Sequence, residues 1–245
     1  MQVFIEYTLW ITPGFLILLL TYLLVPKKAI ATKIFILILG FILIRDNMTT
    51  FGFWEFGIIN NLPWMRFTEN STLLVIMGLV SFFITGGIIH LQKDMQNLLF
   101  WIASQKIISL FMGIIGAVVV VLPFFFFYQG IPLEERGGPF PPEILPLLFF
   151  FALSGNLMEE VLFRGYLQGY FETITTRGRA ALLSGLLFGA GHIFLATTVT
   201  SLGLPIILFT LYEGVICSFV RSKYGILPST LTHGLSIFVL ASGIL

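Results

Sequence analysis

Residues 156–166 read N-L-M-E-E-V-L-F-R-G-Y, and the reading of this stretch decides the fold. It continues an apolar run that starts near Pro142, P-E-I-L-P-L-L-F-F-F-A-L-S-G over 142–155. Run and stretch together are long enough for a membrane span, which needs about 20 residues. Two adjacent glutamates and an arginine at that depth are costly, and such groups mark function.

The rest of the chain supports a membrane setting. Of 245 residues, 57% are hydrophobic, 10% are charged and 27 are Phe. A soluble domain is about a quarter charged. Apolar runs fall at roughly 5–25, 30–44, 70–90, 98–127, 142–168, 180–198, 201–220 and 226–245. They predict an all-α, polytopic transmembrane helical bundle of about eight spans, a single integral membrane domain over 1–245. The segment F-G-F-W-E-F-G-I-I-N-N-L-P-W (51–64) reads as a re-entrant or interfacial piece. The first run lacks a basic leading region and an A-x-A site, so it reads as a span rather than a signal peptide. A net charge of +1 gives no sign of a nucleic-acid partner. Cys217 stands alone in an apolar run and reads as an inert buried thiol.

Loop charges set orientation. Lys27, Lys28 and Lys33, then Lys93, then Arg177 and Arg179, then Arg221 and Lys223 fall in every second loop. The other loops hold Arg45, Arg66 and Arg136. The lysine-rich loops are expected in the cytoplasm, with both termini extracytoplasmic.

Within the spans the ionisable residues are Glu159, Glu160 and Arg164, then His192, Glu213 and His233. Glu160 and Arg164 are four residues apart on one helical face, which predicts an ion pair. Glu159 points about 100° away, beside Asn156 and Phe163. The pair therefore divides into a glutamate neutralised by Arg164 and one left free. A carboxylate among apolar groups suits a general base near neutral pH, and His192 and His233 complete such a site if their spans converge. Glu213 reads as a further polar group lining it. Phe188, one turn before His192, reads as packing for the site.

The motifs resemble those of the CAAX protease and bacteriocin-processing (Abi, CPBP) intramembrane proteases. E-E-V-L-F-R (159–164) matches the family's E-E-x-x-x-R, and F-G-A-G-H (188–192) matches its F-x-x-x-H. His233 resembles its final histidine, and the resemblance covers roughly 142–240. It implies an endopeptidase acting on a prenylated or membrane-associated peptide, surrounded by lipid. Glu159 and His192 would activate water, Glu160 and Arg164 would support the site, and His233 would donate to the oxyanion. It also implies a metal-free mechanism. Were zinc used, Glu159, His192 and His233 would be acceptable ligands, although no H-E-x-x-H is present. The sequence departs from the family at one place: Ile237 stands where Asn or Asp usually follows the last histidine. Ser236 and Asn156 are the candidate substitutes.

Other chemistries fit less well. An aspartyl protease needs two intramembrane aspartates, and Asp46 and Asp94 fall in predicted loops. The alternatives left open are a non-catalytic scaffold or bacteriocin-immunity protein of the same fold, and an ion-coupled transporter. Straight helices would leave Glu159 too deep to meet both histidines. A break is therefore predicted near Gly165 or Gly169, with 166–176 lying along the interface.

Overall fold

The computed structural model describes residues 2–245. Each apolar run forms a helix: α1 Gln2–Leu24, α2 Ile30–Thr50, α3 Ser71–Leu91, α4 Lys106–Phe127, α5 Leu145–Glu160, α6 Gln168–Ile174, α7 Arg177–Ala190, α8 Leu204–Tyr224 and α9 Ile226–Ser242. Six helical stretches are long and apolar enough to cross a membrane. Neither α2, which carries a buried Arg45–Asp46 pair in its last two turns, nor the 17-residue α9 is among them, although both pack into the same bundle.

The predicted break is absent. Pro142–Ile174 runs as one helical rod of 33 residues, with π-helical turns over Val161–Leu167 joining α5 to α6. Each π turn takes in an extra residue and shifts the phase of the side chains that follow without giving up backbone hydrogen bonds. Gly169 is a contact point rather than a break: a β-carbon there would sit 2.4 Å from the Leu98 carbonyl oxygen.

Two helix boundaries also move. The run beginning at 98 is helical only from Lys106, because Phe100, Trp101 and Ala103 pair their backbones with Tyr224 at the end of α8 and Ile226 and Leu227 at the start of α9. α2 continues six residues past 44, to Thr50.

Of the two expectations for 51–64, the re-entrant one fails: the segment forms a β-hairpin. β1 (Trp54–Ile59) pairs antiparallel with β2 (Leu62–Phe67). The two-residue loop, Asn60 and Asn61, has φ of 50° and 63°, the left-handed pair that a tight type I′ hairpin requires and that Asn tolerates. Trp64 lies across its partner Gly57, where any β-carbon would overlap the indole. Tyr128, just beyond α4, donates to the Pro63 carbonyl at 2.5 Å. Burial pushes its pKa up to about 12, so the hydroxyl stays protonated.

Helix pairs α7/α8, α4/α9, α3/α5 and α5/α9 carry the packing. Small residues allow it, as lipid-embedded helices need close backbone approach rather than hydrophobic exclusion. A β-carbon on Gly185 of α7 would meet the Val215 Cα of α8 at 2.8 Å. α1 packs on α2 and buries none of its own residues.

Exposed basic residues are confined to one end. Lys27, Lys28, Lys93, Lys106, Arg177, Arg179 and Lys223 are exposed there. The three arginines assigned to the other loops are all buried. Arg66 bonds the carbonyls of Gly138 and Leu240, and Arg136 bonds that of Leu245. Among the described residues the hairpin end exposes no lysine or arginine.

Candidate active site

Glu160, at the end of α5, is wholly buried and fully engaged. Its Oε1 lies 3.1 Å from Arg164 Nη1 and 2.9 Å from His233 Nδ1, and its Oε2 accepts from the Ser229 hydroxyl. Arg164 is equally buried, with its guanidinium 4.0 Å from the Phe188 ring and a bond to the Gly214 carbonyl. An uncompensated buried charge costs several kcal/mol, so each member of this group holds the others in place. α9 brings in His233 and Ser229, and α8 brings in Gly214.

Glu159 is different. It is half-buried, has no hydrogen-bond partner for its buried Oε2, and lines a cavity of about 150 Å³. His192, His233, Asn156 and Glu213 line the same cavity. Trp54, Phe56 and Trp64 from the hairpin also face it. The helical phase that separates Glu159 from Glu160 in sequence thus separates them in space.

Hydrogen bonding fixes the tautomer of His192. Its Nδ1 is 2.9 Å from the Phe188 carbonyl, which only accepts, and its Nε2 is 3.0 Å from Arg45 Nη1, which only donates. The ring is therefore neutral, protonated on Nδ1. The Phe188 ring stands between the two imidazoles, 4.7 Å from His192 and 5.4 Å from His233, in the packing position expected of it. A β-carbon on Gly189 would meet the Leu211 Cα at 3.1 Å, so α8 approaches α7 closely just before His192.

His233 sits between two carboxylates. Beyond its bond to Glu160, its Nε2 is 3.6 Å from Glu213 Oε2. Ser236 lies 2.5 Å from the other Glu213 oxygen. Ile237 is part of the apolar cavity wall, packed with the aromatic cluster around Phe53 and Phe151. Asn156 uses one amide N–H on the Ala152 carbonyl at 2.7 Å.

Arg45 and Asp46 do not lie in a loop as expected. Both are in α2 and buried, and their opposite charges lie 2.6 Å apart, which lets the helix continue through them. The sequence did contain a signal: no Gly or Pro interrupts residues 41–51.

The family model described as "Type II CAAX prenyl endopeptidase Rce1-like" matches residues 141–239. Over those residues the chain is similar to this Rce1-like family. The Rce1-like segment holds Glu159, Glu160, Arg164, His192, Glu213, Ser229, His233 and Ser236, while Arg45, Asp46 and the hairpin precede it. No curated protein and no solved structure matches the chain.

The group with ligand atoms within 4.8 Å of one another is Glu160, Cys217 and His233, not Glu159, His192 and His233. A cation there would share Glu160 Oε1 with Arg164. His192 turns its lone pair on Arg45 and has none left for a metal. Neither donor set fits a zinc ion.

Proposed function

We propose that this protein is an intramembrane endopeptidase that hydrolyses a peptide bond of a prenylated or otherwise membrane-associated peptide without a metal. The observation that carries the reading is the division of labour between adjacent carboxylates. Glu160 is bound on both oxygens, whereas Glu159 lines a cavity shared with both histidines and its Oε2 has no hydrogen-bond partner. Glu159 takes a proton from a water in the cavity as the water oxygen attacks the peptide carbonyl carbon. His192 forms the wall beside that water. His233, held by Glu160, donates to the oxygen that becomes negative, and Glu159 returns the proton to the leaving amine. Glu213, held by Ser236, stands 3.6 Å from His233 Nε2, beyond hydrogen-bond reach, which leaves that N–H free for the oxyanion.

The one-sided distribution of exposed lysine and arginine supports a topology with the basic end in the cytoplasm and both termini outside. The partners of this reading are lipid and a peptide with a membrane-associated segment.

A second reading, a non-catalytic scaffold or immunity protein of the same fold, draws on Ile237, which puts an apolar side chain where a donor is usual. One comparison separates the two: membrane and secreted peptides, measured by mass spectrometry, from cells expressing wild type or Glu159→Gln at matched levels. A peptide that accumulates uncut in the variant supports the protease and identifies its substrate. Identical peptide pools, with a phenotype on deleting the gene, support the scaffold.

A further inference from the structure

We propose that Arg45 is a catalytic residue of this site, donating its free Nη1–H to the oxyanion formed during peptide hydrolysis. The inference rests on the hydrolase reading above and adds a residue that lies outside the Rce1-like segment.

The first support is a count of donors. A guanidinium has five N–H groups and no acceptor. Arg45 commits Nε and one Nη2 hydrogen to Asp46 Oδ1, the other Nη2 hydrogen to the Gly191 carbonyl, and one Nη1 hydrogen to His192 Nε2. One N–H on Nη1 remains, and Arg45 lines the cavity with Glu159. Four bonds hold the group still, as a preorganised donor requires.

The second support is charge. Two carboxylates, Glu159 and Glu213, line the cavity, and Arg45 is its one lysine or arginine among the described residues. Arg164, the other nearby cation, is turned away onto Glu160 and Gly214. When water attacks, the new carbon–oxygen bond pushes the carbonyl electron pair onto oxygen, and the water proton goes to Glu159. A negative oxygen between two carboxylates needs a fixed positive edge. Collapse of the intermediate breaks the carbon–nitrogen bond, and Glu159 returns its proton to the amine. Arg45 keeps its own proton throughout. With an apolar residue at 237, a donor from α2 supplies what α9 lacks. His192 then acts as the anchor of Arg45, since its lone pair is already taken.

The test uses the full-length protein in detergent micelles and an internally quenched peptide with a prenylated cysteine four residues from its C-terminus. Arg45→Ala is expected to lower kcat by about 10²- to 10³-fold while leaving KM nearly unchanged. Added guanidinium should restore part of kcat, and methylammonium should not. A purely structural arginine would not give that split or that selectivity. If Arg45→Ala does not fold, Arg45→Gln is judged by the same kcat criterion. The assignment is overturned by a folded variant that keeps wild-type kcat. It is also overturned if neither variant folds, which makes Arg45 a structural residue. Wild type and Glu159→Gln are run in parallel. If wild type cuts the probe, Glu159→Gln does not, and Arg45→Ala does, only the Arg45 role fails. If wild type leaves the probe intact and the cellular peptide pools also match, the hydrolase reading fails and takes this role with it.

Discussion

The Rce1-like segment contributes two carboxylates and two imidazoles to the cavity wall, whereas the part before it contributes one guanidinium and an aromatic hairpin. Of the groups from the first region, Glu159, His192 and His233 are recognisable from the short motifs they sit in, whereas Glu213 stands in none. Those from the second carry no motif, yet they bring the cavity's fixed positive charge and, from the hairpin, the rings of Trp54, Phe56, Trp64 and Phe67. A motif therefore marks where the reactive groups sit, but the electrostatic balance of the site is assembled from the whole bundle.

The comparison breaks most readily at Glu159. Replacing it with Gln keeps the size and removes the base, so hydrolysis should fall by about 10²- to 10⁴-fold with the melting temperature unchanged. If activity survives, the acidic half is not the chemical half. Next comes the buried group behind it. Arg164→Gln leaves Glu160 buried with less compensation and should cost about 3–5 kcal/mol of stability, read as a large drop in thermal unfolding temperature in detergent. A variant as stable as wild type would mean that Ser229 and His233 suffice for Glu160.

A smaller effect is expected from packing. Gly185→Val places side-chain atoms against the Val215 backbone and should destabilise by about 1–3 kcal/mol. The same melting assay checks this, and activity per folded molecule should hold if the rod positions recover. The smallest effect sharpens the comparison. Ile237→Asn puts a donor beside His233 on the C-terminal side. If Arg45 already serves the oxyanion, kcat should rise by less than about tenfold, below the value of one missing oxyanion donor. A rise of 10²-fold or more would show that the site had lacked its donor.

Much of this was legible in the sequence. Hydropathy placed the helices, because each apolar run has to satisfy its backbone internally in lipid. Glu160 and Arg164 met as their spacing required, and Glu159 took the other face. The lysine-rich loops fell at one end. Other features were not legible. The hairpin was hidden because Asn60–Asn61 is a turn signal set among aromatic residues that also suit an interface. Arg45 and Asp46 were placed in a loop because each charge alone would end a span, and only their mutual pairing keeps them inside. The expected break near Gly165 was replaced by π turns, which depth counting along ideal helices does not anticipate.

The sequence by itself determined the membrane bundle, the pairing of Glu160 with Arg164 and the freedom of Glu159, since these follow from hydropathy and from the 3.6-residue period within one helix. The tertiary structure decided that His233 leans on Glu160, that Glu213 and Ser236 flank it, and that Arg45 fixes His192. Those contacts join residues far apart in the chain, and the angle and depth at which two helices cross are set by small residues and π turns rather than by local spacing.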